Sequence, residues 1–385
     1  MPQRFITRTL LSFFLLFAGI AANAQTASMP LPKPPGVDAK SYILIDAQSG
    51  QVLAESEPDA KIEPASITKI MSSYVVFSEI AKGNLSETDL VTISETAWRM
   101  GGSKMFIEVG KQVPVMDLLR GMIVQSGNDA TIALAEHIAG TEDSFAAFMN
   151  QYATQLGLSN THFTNATGWP DPEHYTTARD IATLIRALVS AFPEHYKLYA
   201  EKEYTYNNIT QHNRNLLLWR DESVDGVKTG HTESAGYCLS ASAVRDGMRL
   251  ISVVIGADGT KSRTRYSQAL LNYGFRFFET RKLFEADKPM DTVRVWKGAT
   301  QALGIGPQQD FYITIPRGRF DDVNVKAELQ GQVFAPVSAG QKLGSITATL
   351  DDSLLSTADI HALDAVEQGS WWQRLLDEAR LFMHR

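Results

Sequence analysis

The sequence contains very little cysteine and no recognisable metal or nucleotide motif. Cys238 is the single cysteine of the 385 residues, so the chain cannot form an internal disulfide or a thiolate metal site. The eight histidines form no His-Glu-x-x-His grouping, and neither a Gly-x-Gly-x-x-Gly nor a Walker loop is present. These absences predict no metal and no nucleotide or dinucleotide cofactor. We interpret Cys238 as a small buried residue of a strand.

Basic residues are also in the minority. The chain has 36 Lys and Arg against 43 Asp and Glu, which gives a formal net charge of −7. An acidic balance does not favour the phosphate backbone of DNA or RNA. We therefore predict no nucleic-acid partner.

The apolar stretch from Leu10 to Ile20 is too short for an ordinary membrane-spanning helix. It follows the basic residues Arg4 and Arg8 and precedes the small-x-small sequence at residues 22–24. This order is typical of a secretory signal peptide, here residues 1–24, with cleavage after Ala24. An uncleaved anchor is the alternative, and either reading predicts an exported protein.

The stretch Ser66-Ile67-Thr68-Lys69 follows Pro64 and opens an apolar run that continues through Ile80. This pattern predicts the first turn of a buried helix, on which residues i and i+3 share a face. A serine hydroxyl is a poor nucleophile without an adjacent base. Lysine can be that base when burial and a second cation lower its pKa. The spacing alone is weak evidence, because many helices carry it by chance.

Two further short motifs lie downstream of this serine. Ser126-Gly127-Asn128 separates two segments of helical periodicity, residues 115–123 and 130–138, and we expect Asn128 to cap the second helix. Lys228-Thr229-Gly230 precedes two strands that flank an Asp-Gly turn, a pattern that predicts a hairpin, and lies on or beside an edge strand. Read alone, the first motif is an interhelical turn and the second is a solvated strand end.

The remaining pattern predicts the fold class. Residues 41–46 and 51–55 read as a hairpin, residues 85–190 as mainly helical, and residues 203–255 as strands again. From residue 289, short alternating runs punctuated by Gly and Pro indicate a small antiparallel sandwich. We predict a mixed α/β (α+β) domain with a central antiparallel sheet and a helical region, then an all-β domain and an amphipathic helix. The predicted limits are 25–288, 289–364 and 369–385.

Taken together and in this order, the three motifs resemble those of penicillin-binding proteins and class A β-lactamases. Over nearly its whole length the chain is similar to the low-molecular-mass penicillin-binding proteins that are D-alanyl-D-alanine carboxypeptidases, which trim peptidoglycan stem peptides. The resemblance includes residues 177–180 (Thr-Ala-Arg-Asp), 213–215 (Asn-Arg-Asn) and 274–278 (Gly-Phe-Arg-Phe-Phe). It implies a peptidoglycan stem peptide as substrate and β-lactams as acylating mimics.

The resemblance also implies roles for individual residues. The catalytic residues it implies are the nucleophile Ser66, the base Lys69 and the proton shuttle Ser126. The substrate-binding residues it implies are Asn128, Lys228, Thr229, Gly230, His231 and Arg263. Within that set Asn128 holds the substrate amide, Lys228 is the second cation, and Thr229 with Arg263 binds the terminal carboxylate. The backbone N–H groups of Ser66 and His231 form the oxyanion hole.

Two alternative functions stay open at this stage. A serine β-lactamase of the same fold is disfavoured because no Glu-x-x-Leu-Asn segment lies between Asn128 and Lys228 to drive deacylation. A non-catalytic wall-binding protein is disfavoured because all three motifs are intact.

The last residues form an amphipathic stripe on a helix, with charged residues outside it. The stripe consists of Trp371, Trp372, Leu375, Leu376, Ala379, Phe382 and Met383. It can pack onto the second domain or lie in a membrane interface, where Trp and Phe settle and arginines meet anionic head groups. We predict that the stripe lies in a membrane interface, on the outer (periplasmic) face of the cytoplasmic membrane.

Overall fold

The fold is known from a computed structural model, which describes residues 31–383. The predicted signal peptide, residues 1–24, lies outside the described residues. The helices and strands of the first region are, in chain order, β1 Ser41–Asp46, β2 Val52–Ser56, α1 Lys69–Ala81, β3 Leu90–Thr92, α2 Glu95–Arg99, β4 Gln112–Pro114, α3 Val115–Ile123, α4 Asn128–Ala139, α5 Glu142–Gln155, α6 Ala178–Ala191, α7 Pro193–Tyr196, β5 Glu203–Tyr206, β6 Ile209–His212, β7 Val224–Thr232, β8 Gly236–Arg245, β9 Met248–Ala257 and α8 Thr260–Phe277.

The central sheet has the strand order β2-β1-β9-β8-β7, and all of its pairs are antiparallel. Its strands are apolar on both faces because both faces are covered. Ile43 and Val253 point into a core shared with helices α1 and α3 to α6, whereas Leu44 and Leu250 point into a second core shared with α8. Successive strand residues therefore enter different cores, as the period of two requires. This arrangement confirms the predicted central antiparallel sheet and helical region.

The second region is built almost entirely of strands. In chain order it contains β10 Phe278–Phe284, β11 Asp291–Trp296, β12 Ala302–Gly306, β13 Phe311–Pro316, β14 Asn324–Leu329, β15 Val333–Phe334, β16 Lys342–Leu350 and β17 Ser353–Ala362, followed by the helix α9 Trp371–Met383. A six-stranded sheet of order β14-β16-β17-β12-β11-β15 and the pair β10-β13 share one apolar core. This confirms the predicted β-rich region and the helix after it.

Two details of this region differ from the sequence expectation. The prediction assigned residues 278–284 to the first domain, but β10 pairs along its length with β13, so backbone hydrogen bonds join it to the second region. The strands are also not all antiparallel, because the short β15 pairs in parallel with β11. Neither pairing leaves a local periodicity signal, since both depend on strands distant in sequence.

Helix α9 contacts the second region through a charged residue. The side chain of Asp377 is only 3% exposed, and it accepts hydrogen bonds from the Arg294 guanidinium at 2.9 Å and the Lys297 backbone N–H at 2.7 Å. The large apolar side chains of the stripe are from 54% to 81% exposed. The stripe therefore does not pack onto the second region. The helix is held by its polar face instead.

Two glycines allow chain segments to approach the 3-10 turn Ala65–Thr68, here called the Ser66 turn. A Cβ at Gly230 in β7 would lie 3.0 Å from the Pro64 carbonyl oxygen. A Cβ at Gly168 would lie only 1.8 Å from the Ala65 carbonyl oxygen. Gly168 belongs to residues 164–174, here called the 164–174 loop. The sheet edge and this loop therefore enclose the Ser66 turn by direct backbone contact.

We expect Gly168→Ala to lower the free energy of unfolding by clearly more than Gly157→Ala. Both glycines have positive φ, +82° and +72° respectively, so alanine is strained at either position by about 1–2 kcal/mol. Only at Gly168 would the new methyl group collide with backbone, because nothing lies within 4 Å of a Cβ at Gly157. Thermal or chemical denaturation of the two variants measures the difference. Equal losses would mean that the loop moves away from the Ser66 turn without penalty.

Candidate active site

The Ser66 turn leads directly into α1, so the hydroxyl of Ser66 and the amine of Lys69 lie on one side of the chain. Lys69 is the first residue of α1 and is 1% exposed. Ser66 Oγ lies 3.2 Å from Lys69 Nζ. Ala65, just before the serine, has φ +48°, an uncommon conformation for a residue with a side chain. The structure thus brings the predicted nucleophile and base into contact.

The amine of Lys69 has two other close neighbours, and both are acceptors. Its Nζ lies 2.7 Å from Asn128 Oδ1 and 2.7 Å from the Thr167 carbonyl oxygen. Neither oxygen carries a hydrogen, so neither can donate a hydrogen bond to the amine. A neutral amine has two N–H donors and one lone pair, so donation to these two oxygens directs the lone pair toward Ser66. The Ser66 hydroxyl can then donate its proton to Lys69.

The electrostatics favour that neutral amine. The pKa of Lys69 is lowered from its usual 10.5 to about 7, first by burial and then by the positive charge of Arg214, while Asp129 and Glu142 oppose the change. Burial disfavours an ammonium because it removes the solvation of the charge. Near neutral pH a large fraction of Lys69 is therefore unprotonated.

Arg214 is a neighbouring cation that was not expected to act on Lys69. The expected second cation, Lys228, and Lys69 repel each other when both are charged, and the pKa of Lys228 is itself lowered well below its ordinary value, first by burial and then by that repulsion. Arg214 acts on both lysines. In the sequence, Asn213-Arg214-Asn215 is part of the family resemblance, which implies no role for Arg214. The only sequence signal for Arg214 was its position between two asparagines. In the structure both asparagines are buried and hydrogen-bonded to backbone, which fixes this segment.

Ser126 and Asn128 approach Lys69 from the connection between α3 and α4. Ser126 has φ +67°, and its buried Oγ has no hydrogen-bond partner within residues 31–383. Asn128 does not cap α4 as predicted, since Gly127 is the N-cap residue and no side chain caps there. The Asn128 amide instead accepts from Lys69 and donates to the Gly101 carbonyl oxygen at 2.8 Å. The tertiary contact with Lys69 therefore replaces the local cap.

Asp129 orders the segment next to this amide. Its carboxylate accepts hydrogen bonds from the backbone N–H groups of Met105 and Phe106 at 2.8 and 2.9 Å. A Cβ at Gly102 would lie 2.7 Å from Asn128 Nδ2. The chain around Gly102 therefore passes directly over Asn128 and holds its amide in place.

Strand β7 provides the opposite side of the site. It is an edge strand, as predicted, and Lys228 and Thr229 are 3% and 7% exposed. Among the described residues, Lys228 Nζ has only a long contact of 3.5 Å, to the Thr229 carbonyl oxygen. The side chain of His231 is exposed, with its ring against Tyr237 at a centroid distance of 4.1 Å. A buried lysine and a buried threonine thus lie on the edge strand, next to an exposed histidine.

Arg263 reaches this strand from α8. Its guanidinium donates to the carbonyl oxygens of Gly230 at 3.1 Å and Cys238 at 3.2 Å, and burial lowers its pKa. The structure therefore places Arg263 beside the strand that carries Thr229. Cys238 itself is fully buried in β8, as expected, and burial raises its pKa to about 11. Within residues 31–383 no three His, Cys, Asp or Glu side chains are grouped to hold a metal ion.

Comparison with known proteins agrees with this geometry. Residues 25–259 match the family described as D-alanyl-D-alanine carboxypeptidase, and residues 278–368 match the C-terminal domain of penicillin-binding protein 5. D-alanyl-D-alanine carboxypeptidase DacA of Escherichia coli (strain K12) is 42% identical over 390 residues, which cover 99% of this chain and 96% of that protein.

Solved structures show the same similarity. Penicillin-binding protein 5 from Haemophilus influenzae is 44% identical with a TM-score of 0.83, covering 88% of this chain and 100% of that one. Penicillin-binding protein D2 from Listeria monocytogenes, solved in its ampicillin-bound form, is 27% identical with a TM-score of 0.59 over 63% of this chain and 100% of that one. This chain therefore belongs to the D-alanyl-D-alanine carboxypeptidase family of serine peptidases.

Proposed function

We propose that this serine carboxypeptidase removes the terminal D-alanine from peptidoglycan pentapeptide stems through an acyl-enzyme on Ser66. The observation that carries the proposal is the contact of Ser66 Oγ with a buried amine whose other two neighbours are acceptors. That arrangement makes Lys69 a base for Ser66. The relatives named for this activity match nearly the whole chain.

The reaction follows from these positions. Ser66 gives its proton to the neutral Lys69 and attacks the carbonyl carbon of the penultimate D-alanine. The backbone N–H groups of Ser66 and His231 stabilise the oxyanion, usually the largest contribution in acyl transfer. The bond to the terminal D-alanine breaks, and its nitrogen receives the proton through the hydroxyl of Ser126, which has no hydrogen-bond partner among residues 31–383. Water then attacks the ester, releasing the shortened stem and restoring the Ser66 hydroxyl.

The substrate is an anion at its terminal carboxylate, and the proposed binding residues complement it. The Thr229 hydroxyl on the strand edge can donate to that carboxylate, and the Arg263 guanidinium lies beside the same strand, where it donates to the Gly230 carbonyl oxygen. Gly230 keeps the strand edge close to the Ser66 turn. The amide of Asn128 holds the backbone of the stem next to the scissile bond.

We expect penicillin to add its full mass to a single peptide, the one that contains Ser66. A strained cyclic amide acylates the same serine, and the Ser66→Ala variant lacks the nucleophile, so the adduct disappears. Mass spectrometry of digested protein measures this. An adduct that persists in Ser66→Ala, or that maps to Ser126, would show that the nucleophile is another residue.

The fate of the adduct separates the alternatives. A carboxypeptidase releases D-alanine from a D-Ala-D-Ala stem peptide and keeps a persistent penicilloyl adduct. A β-lactamase turns penicillin over rapidly, and a wall-binding protein binds the peptide without chemistry.

We expect the rate of penicillin acylation to fall about tenfold for each pH unit below the pKa of Lys69, which is about 7. Protonation removes the lone pair that accepts the Ser66 proton, so the loss occurs as the pH falls. In Arg214→Gln the ammonium of Lys69 loses a repulsive neighbour, its pKa rises, and the acidic limb moves to higher pH. Lys228→Ala should move it in the same direction.

Stopped-flow acylation across the pH range measures the limb. Arg220→Gln is the matched control, because Arg220 is exposed on the same connection to β7 and does not contribute to the lowered pKa of Lys69. A limb that stays in place in Arg214→Gln would mean that burial alone sets the pKa.

We further propose that the exported protein is held on the periplasmic face of the cytoplasmic membrane by α9. The support is the exposed apolar stripe on a helix whose acidic residues already have partners: Asp377 pairs with Arg294, and Glu378 pairs with Lys297 at 2.9 Å. Pairing these carboxylates reduces their repulsion from anionic lipid. None of the helices in residues 31–383 has the length and apolar character needed to cross a membrane, so the proposed attachment is interfacial.

We expect replacement of Trp371, Trp372, Leu375 and Leu376 by serine to lower binding to anionic vesicles at least roughly tenfold, since about 1.4 kcal/mol of lost apolar burial suffices. Asp377 and its contacts stay intact, so folding and activity on a small soluble peptide should not change. Truncation after Gly369 should release a soluble enzyme, and high salt alone should release the intact protein only partly. Vesicle sedimentation measures binding.

The matched control is Leu354→Ser, which removes an apolar side chain that is 64% exposed on β17, outside the helix. Its vesicle binding should equal that of the unmodified protein. If the truncated protein still sediments with membranes, the attachment lies elsewhere. If it loses penicillin binding, the helix is part of the folded core.

A further inference from the structure

A histidine connects the 164–174 loop to the Ser66 turn. His174 is 2% exposed. Its Nε2 lies 2.8 Å from Thr68 Oγ1, and its Nδ1 lies 3.0 Å from the backbone nitrogen of Thr164. Thr68 is the residue immediately before Lys69, and Thr164 begins the loop that carries Thr167. The imidazole therefore lies between the two chain segments that meet at the amine.

The hydrogen bonds fix the state of the ring. A backbone N–H can only donate, so Nδ1 of His174 must be an unprotonated acceptor. The proton of the neutral ring is then on Nε2, which donates to Thr68 Oγ1. Burial lowers the pKa of His174 to about 4, with His162 and Lys69 lowering it further and Asp171 and Glu63 opposing them. The ring thus keeps one neutral tautomer across the pH range in which Lys69 titrates.

The loop that this ring closes is itself tightly organised. The side-chain oxygen of Asn165 accepts from the backbone N–H groups of Gly168 and Trp169 at 2.8 and 3.0 Å. This turn directs the Thr167 carbonyl at Lys69. Among the described residues, other contacts hold the loop at Ala166, through Glu142 at 2.9 Å and Ser72 at 2.6 Å, and at Glu173, whose carbonyl oxygen lies 2.7 Å from His162 Nδ1. Loss of the histidine contacts should therefore loosen the loop without detaching it.

We propose that His174 is a positioning residue for acyl transfer: by bridging Thr164 and Thr68 it fixes the Thr167 carbonyl against Lys69 and so directs the lone pair of the amine at Ser66. The proposal rests on the proposed function, in which Lys69 is the base. Without the bridge, one of the two acceptors of Lys69 is no longer held in place. Water then reaches the amine, the ammonium form is better solvated, and the lone pair is no longer directed at the hydroxyl.

The test compares two replacements of the ring. His174→Phe keeps a planar ring but removes both hydrogen bonds, whereas His174→Gln keeps one donor and one acceptor and carries no charge. We expect the acidic limb of penicillin acylation to move up by about one pH unit in His174→Phe, which is roughly a tenfold lower rate below the limb. The equilibrium binding of penicillin before acylation should change little. His174→Gln should restore most of the rate and the position of the limb.

Thr68→Val provides a second route, because it removes the same bond from the other side with little change in shape. It should reproduce the shift of His174→Phe, and the double variant should add little to either. His137→Phe is the matched control, since His137 is exposed on α4. If His174→Phe and Thr68→Val both lose thermal stability while the limb stays in place, the histidine is structural only and the proposal is wrong.

A direct measurement separates this inference from the proposed function. NMR titration of lysine labelled at 13Cε reports the pKa of Lys69 without any turnover. A higher pKa in His174→Phe than in the unmodified protein and His174→Gln supports the positioning role, even if no penicilloyl adduct forms. Equal values in all three proteins overturn it. Absence of an adduct on the unmodified protein would instead contradict the proposed function.

Discussion

The active site depends on how one buried amine is satisfied. A buried ammonium needs acceptors for three N–H groups, and an unpaired charge in such a place is strongly unfavourable. Lys69 has two oxygen acceptors and one hydroxyl as neighbours, and when the amine is neutral that hydroxyl can donate to its lone pair. The burial that makes the charge costly is therefore also what makes the residue a base. The neighbouring cations act in the same direction.

The groups that satisfy this amine come from distant parts of the chain, and glycines allow them to meet. Gly168 lets the 164–174 loop contact the Ala65 carbonyl, Gly230 brings the edge strand to Pro64, and Gly102 passes over Asn128. At each place a Cβ would collide with its neighbour or press against it. The site is thus enclosed by backbone, which makes the positions of its acceptors depend on the packing of whole loops and strands.

The charged residues act differently around the active site and in the second region. Around the site, the positive charge of Arg214 lowers the pKa of both Lys69 and Lys228. In the second region, Arg294 pairs with the buried carboxylate of Asp377 and fixes α9 by its polar side. The apolar stripe then remains exposed. The same helix could not present that stripe if it were held by its apolar face, as most amphipathic helices are.

The sequence by itself determined the features that depend on local spacing. The i, i+3 relation of Ser66 and Lys69, the hairpin around the Asp-Gly turn and the stripe of the last helix follow from the periods of helix and strand. Only the tertiary structure decided that Asn128 is an acceptor for Lys69 rather than a helix cap, that Thr167 is the second acceptor, and that β10 belongs to the second region. The two acceptors lie 59 and 98 residues from Lys69. Contacts over such separations are set by how the cores pack, and no local period records them.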